Sequence, residues 1–134
     1  SLALTARLHG TKILVTGNHD RCWHGHGEAA NVWVERYLAA GFAEIRQGTQ
    51  AIELAGRAVL VDHFPYVGDS HDEDRFDAHR PHDDGEWLLH GHVHEIWDQN
   101  GRMINVGVDV RNFRPMPETE VIALIAAGPA PTHP

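Results

Sequence analysis

Apolar and polar positions fall in short blocks along this chain, most of them closed by glycine or proline, and the blocks read as the elements of an α/β fold. Residues 2–8 are apolar at positions 2, 4 and 8, a weak helical spacing that ends at Gly10, a residue suited to the C′ position. No capping residue precedes this segment, so it reads as the end of an element that begins upstream. Residues 12–16 form a short β-branched run, predicted as a buried strand that delivers Gly17-Asn18-His19-Asp20 at its C-terminal end. Residues 28–40 carry an approximately helical stripe through Ala29, Val32, Trp33 and Leu38, closed by Gly41. Residues 50–54 and 58–61, separated by Ala55-Gly56-Arg57, predict a hairpin whose second strand runs into Asp62-His63-Phe64-Pro65.

Residues 67–86 show no sustained apolar period and are predicted as a long loop. Residues 87–90 are a further strand that discharges into Gly91-His92-Val93-His94, and residues 96–98 and 103–108 flank a hairpin-type Asn-Gly turn at Gln99-Asn100-Gly101. Residues 119–126 are continuously apolar enough to be a last helix or a last strand, and the Gly/Pro-rich stretch 128–134 is expected to fray. No internal repeat is visible, and 134 residues suit a single domain over 1–134.

Composition narrows the class. Hydrophobic residues make up 42% and charged residues 22%, ordinary globular usage that argues against a disordered chain, and no apolar run approaches the roughly 20 residues of a membrane span. The formal charge of −8 is concentrated: nine carboxylates stand against Arg75 and Arg80 between Asp62 and Glu86, and the remainder is nearly neutral. No basic stripe exists to follow a phosphate backbone, so nucleic-acid binding by a basic surface is disfavoured. One cysteine, Cys22, cannot close an intramolecular disulfide; it reads as a small buried residue in a reducing, cytoplasmic setting. Twelve dispersed histidines change the picture most, because imidazole is both the commonest metal ligand and the side chain that titrates near neutrality.

Three motifs share one grammar, in which a strand runs out and a glycine- or proline-bordered turn offers polar ligands. Loops after strand C-termini converge on one crevice in layered α/β folds, so Asn18, His19, Asp20, His63, His92 and His94 are expected in one site. Gly17-Asn18-His19-Asp20, then His63 in Asp62-His63-Phe64-Pro65, then Gly91-His92-Val93-His94 resemble, in that order, the calcineurin-like metallophosphoesterases. The continuation Ile104-Asn105-Val106-Gly107-Val108-Asp109, with Arg114-Pro115 beyond, is similar to the tail of small bacterial and phage-type members. The resemblance implies an α/β, layered fold of β-sheets flanked by helices and a two-metal centre that hydrolyses a phosphate mono- or diester. It implies that Asn18, His63 and His92 bind one metal and His94 the other, and that His19 is the acid facing the leaving-group oxygen, oriented by Asp20. Imidazoles and an amide oxygen suit Mn²⁺, Fe, Zn²⁺ or Ni²⁺ and leave them Lewis acidic, with two ions in a complete domain.

The family pattern opens with Asp-x-His and Gly-Asp-x-x-Asp, which should precede Gly17. The chain is therefore read as the C-terminal part of such a domain, incomplete at its N-terminus. Similar strings at Gly68-Asp69-Ser70-His71-Asp72 and Asp77-Ala78-His79 are read as a solvated acidic loop, since no strand aims them. Arg21 is a candidate phosphate clamp by position, with a plain surface arginine as the equal alternative. His24 and His26 are candidates to touch substrate; His9, His71, His79, His82, His90 and His133 read as solvent-facing or packing residues, and the tryptophans as core and rim. The alternative function is a catalytically incompetent metal-binding or interaction fragment, separated from the enzyme by whether the two missing motifs lie upstream of Ser1. A histidine-rich metal buffer is disfavoured by the strand-end placement of the ligands.

Overall fold

The computed structural model describes residues 2–133, and the chain divides into two compact units, Ser1–Gly48 and Thr49–Pro134. In the first unit, helix α1 (Leu2–Thr5) is one turn long, shorter than the 2–8 spacing suggests; Lys12 Nζ donates to the carbonyls of Leu8 and Gly10 at 3.0 and 3.3 Å and ties down the turn that follows. Strand β1 (Ile13–Val15) pairs in parallel with β2 (Glu44–Arg46), Leu14 standing opposite Ile45. Helix α2 (Asn31–Ala39) connects them and is shorter at its start than the apolar stripe implies. Residues His24–Ala30 ahead of it are 3-10 turns, broken where Gly27 takes φ 64°. Gly25 is required there, because a Cβ would fall 2.2 Å from the ring of Trp23, which is buried beneath it.

The second unit is built on a five-stranded sheet. Strands β3 (Gln50–Leu54) and β4 (Arg57–Val61) form the predicted hairpin; β4 then pairs in parallel with β5 (Trp87–His90), and β5 in parallel with β7 (Met103–Asn105). The short β6 (Gln99–Asn100) closes the order β3-β4-β5-β7-β6 by antiparallel pairing with β7. The pairing Asn100 to Met103 puts Gly101 and Arg102 in the hairpin loop, one residue later than the Asn-Gly reading, and Gly101 takes the positive φ of 56° this needs.

Side-chain alternation along the strands divides the core into two layers. Val59, Trp87, Leu89 and Ile104 face one way, against helix α3 (Glu118–Ala127), whose Val121, Leu124 and Ile125 recur at the i, i+3, i+4 spacing of one helix face. That packing decides between helix and strand for 119–126 in favour of helix. Leu88 and Met103 face the other way with Tyr66, Leu60 and Trp97. The C-terminal stretch expected to fray is laid along the β6–β7 hairpin: Ala130 N–H donates to Gly101 O at 3.1 Å and His133 N–H to Asn100 Oδ1 at 3.0 Å. The chain is thus mixed α/β, with two sheets and packed helices. Among the described residues no helix is long and apolar enough to cross a membrane.

Candidate functional site

Three parallel strands, β4, β5 and β7, end on one edge of the five-stranded sheet, and the residues just past their ends carry the chemistry. The ladder continues into those loops: Asp62 N–H donates to Leu89 O at 3.0 Å, Gly91 N–H to His63 O at 3.1 Å and Val106 N–H to His90 O at 2.8 Å. Asp62 turns the chain after β4, its Oδ1 accepting from Phe64 N–H at 2.9 Å and its Oδ2 from the Thr49 hydroxyl at 2.6 Å. The turn after β5 puts His92 and His94 at φ 64° and 49°, the left-handed region that non-glycine residues rarely occupy. Together these turns bring the rings of His63 and His92 to 5.2 Å between centroids, with Phe64 packed edge-on against both.

His94, two residues on, is exposed, and its imidazole has no hydrogen-bond partner among the described residues. Its loop is fixed from below by Asn105, fully buried, whose Nδ2 donates to His94 O at 2.7 Å and Trp97 O at 2.9 Å.

The acidic stretch contains a residue that composition misplaces. Asp69, read as part of a solvated loop, has a fully buried carboxylate held from four directions. Arg75 donates from Nη2 at 2.7 Å and Nε at 3.2 Å to Oδ1, Arg75 N–H at 3.1 Å to Oδ2, His71 N–H at 3.2 Å to Oδ1, and Arg80 Nη2 at 3.4 Å to Oδ2. His92 Nε2 lies 2.9 Å from Oδ2. Burial by itself would raise this carboxyl's pKa; the hydrogen bonds from Arg75 and His92 outweigh it and hold the group well below the usual carboxylate range. Arg80, its side chain almost buried, also donates to the carbonyls of Pro65 and Gly68 at 3.1 and 2.9 Å, so the loop is folded around a charge cluster. The two arginines of the segment both serve this one carboxylate, a pattern that net charge conceals.

Burial pushes His92 below its ordinary value, against the opposing pull of Asp69. Burial also pushes His90 down to about 3; its Nδ1 bonds Gly91 O at 2.7 Å, and its Nε2 is a buried nitrogen without a partner among the described residues.

In the first unit, Gly17-Asn18-His19-Asp20 follows β1 as expected. The carboxylate of Asp20 accepts from Gly17 N–H at 2.9 Å and lies 3.5 Å from the Tyr37 hydroxyl. It shapes the turn and does not bond His19, whose exposed ring has no hydrogen-bond partner among the described residues. His19 opens into a cleft of about 600 Å³ lined also by Arg21, Trp33, Tyr37 and Phe42. Arg21 is exposed, with its guanidinium 4.4 Å from the centre of the Trp33 ring, which also carries Arg36 at 4.5 Å. Gln47, unnoticed in the sequence, stitches the loop together: its Oε1 accepts from Thr16 Oγ1 at 2.6 Å and His24 N–H at 3.0 Å, and its Nε2 donates to Cys22 O at 2.8 Å. Cys22 is buried as expected, and burial, then the Asp20 charge, pushes its thiol up to about 11. Alkylation of Cys22 at pH 8 is therefore expected to run about a hundredfold slower than for a thiol at the ordinary value of 9.0, beyond any loss of access; a rate equal to that of a free thiol would contradict this environment.

Whether these residues suit a metal is decided by donor type. Among the described residues no group of three or more His, Cys, Asp and Glu side chains is gathered as for a metal ion. His63 and His92 are the two expected ligands that come together, one of them with a carboxylate on a ring nitrogen, as ligating imidazoles are commonly held. Two imidazoles of this kind fit a transition metal as part of its ligand set.

No family model matches the chain. It is similar to the Gene 66 protein of Mycobacterium phage D29, 38% identical over 122 residues that make up 81% of this chain and 58% of that protein. It is similar to the Gene 66 protein of Mycobacterium phage L5, 36% identical over 108 residues, 75% of this chain and 52% of that protein. The chain thus spans little more than half the length of these relatives. Among solved structures it resembles the protein of unknown function AQ665 from Aquifex aeolicus, with a TM-score of 0.64, 27% identity, and coverage of 92% of this chain and 66% of that one.

Proposed function

We propose that this chain belongs to a calcineurin-like metallophosphoesterase and contributes to the metal-dependent hydrolysis of a phosphate mono- or diester in the cytoplasm. The observation that carries the reading is the pair of parallel strands β4 and β5, whose ends hold His63 and His92 side by side, ring to ring at 5.2 Å. The second unit would supply His63 and His92 to one metal and His94 to another. Mn²⁺, Fe, Zn²⁺ or Ni²⁺ in such a centre supplies Lewis acidity toward a phosphoryl oxygen and lowers the pKa of a water.

The chain's own residues do the rest. His19, exposed in its cleft, is free to give the proton of its imidazolium to the departing alkoxide oxygen. Arg21, planted on Trp33, offers a planar cation to the phosphate oxygens. The Asp69 cluster and Asn105 hold the histidine turn in its strained geometry. The test is hydrolysis of p-nitrophenyl phosphate and bis-p-nitrophenyl phosphate by the full-length protein with Mn²⁺. Activity that EDTA abolishes and Mn²⁺ restores is expected, and activity indifferent to EDTA overturns the reading.

A further inference from the structure

A histidine that ligates a metal must present one particular ring nitrogen, and in a neutral imidazole the proton sits on only one of the two. His92 is nearly buried, and its Nε2 lies 2.9 Å from Oδ2 of Asp69. A carboxylate accepts and cannot donate, so this bond places the proton on Nε2 and leaves Nδ1 with the lone pair. The carboxylate has no freedom to move away: Arg75 grips it through Nη2, Nε and backbone N–H, and Arg80, anchored on Pro65 O and Gly68 O, reaches Oδ2. Both oxygens carry several donors, so Asp69 is itself an unsuitable ligand.

We propose that Asp69 is a positioning residue for the metal centre: it accepts the Nε2 proton of His92, fixes that ring as the Nε2–H tautomer and leaves Nδ1 as the atom that takes the metal. The assignment rests on the metallophosphoesterase reading of the site and names a residue that reading does not contain. A carboxylate behind a ligating imidazole orients the ring and raises its basicity, and losing one typically costs about 10- to 100-fold in metal affinity.

The test is nitrogen NMR on the metal-free chain with ¹⁵N-labelled histidine, then with Zn²⁺ added. His92 is expected as the Nε2–H tautomer before metal, with Nδ1 shifting and the Nε2 proton retained when Zn²⁺ binds. In Asp69→Asn, the Arg75 side chain and His71 N–H keep the amide oxygen in place of Oδ1 and turn the NH₂ toward His92, so the ring changes to the Nδ1–H tautomer while Arg80 Nη2 and Arg75 N–H lose their acceptor. Zn²⁺ affinity should then fall about 10- to 100-fold with the far-ultraviolet circular dichroism unchanged. An Nδ1–H tautomer in the wild-type chain overturns the proposal even if the variant fails to fold. Zn²⁺ on Nε2 of His92, with His63 also responding, or unaltered affinity in a folded Asp69→Asn, overturns it and leaves the functional reading standing. No response of His63 or His92 to Zn²⁺ or Mn²⁺ overturns the functional reading and this assignment with it.

Discussion

Replacing Asp69 by alanine is expected to lower the stability of the 49–134 unit by about 3–5 kcal/mol, the cost of stranding a buried charge whose partner is gone. Arg80 bears most of that loss, because its side chain is only 6% exposed, whereas Arg75 at 41% can turn to water. Adding Arg80→Met should recover part of it, since an apolar side chain leaves no buried charge. Acid titration gives the effect a second signature. The native Asp69 carboxyl lies far below its unfolded value near 3.9, so its contribution is complete above that pH and is lost as the pH falls through it. His90 acts earlier, because it is neutral in the folded chain down to about pH 3 and charges near 6.5 when unfolded. Stability should therefore already decline below pH 6.5, by about 2–3 kcal/mol at pH 4.5 from His90. Asp69→Ala should keep that upper slope and lose the steeper one below pH 4. Urea denaturation across this range measures both, and a loss under about 1 kcal/mol for Asp69→Ala would mean that its carboxylate is solvated.

His19→Ala is expected to slow hydrolysis of alkyl phosphates by the full-length protein about 10²–10⁴-fold while changing nitrophenyl esters little, because a phenolate leaves without a proton. His92→Ala should slow both esters alike and lower metal content. Equal slowing of the two esters by His19→Ala, or loss of metal, would make His19 a ligand or a structural residue. Asp20→Asn provides the companion measurement. Since the Asp20 carboxylate bonds Gly17 N–H rather than the His19 ring, this change should act on the turn, weakening the fold of the first unit more than it alters the ester preference.

The strand ends were legible in the chain because each is a short apolar run stopped by a glycine or an Asp-His pair, whereas the parallel pairing of β4 with β5, which their long connection allows, is set by the fold. What escaped was chemistry that depends on who faces whom. Asp69 looked solvated because seven neighbouring carboxylates dominate its segment, yet it alone of them collects both arginines and a histidine. Asp20 and His19 are adjacent in sequence, which suggested a pair, but the Asp20 carboxylate accepts from Gly17 N–H rather than from the His19 ring. Helix α2 starts at Asn31 because residues 28–30 ahead of it are wound as a 3-10 turn, a distinction the apolar stripe cannot carry. The last helix was ambiguous for a different reason: Val121 to Ile125 is apolar at nearly every position, and only contact with Val59, Trp87 and Ile104 selects the helical face. Asn100 and Gly101 hold the tail through their oxygens, a use of turn residues that composition does not announce.

Metal binding by the chain itself decides whether His63 and His92 form a metal centre. Titration with Zn²⁺ and Mn²⁺, followed by elemental analysis after dialysis, is expected to give about one tightly held ion and a second held weakly. The tight ion should be lost in both His63→Ala and His92→Ala and kept in His9→Ala, whose ring is exposed in the other unit. Absence of any bound metal, two tightly held ions, or a tight ion that survives both substitutions would contradict the account.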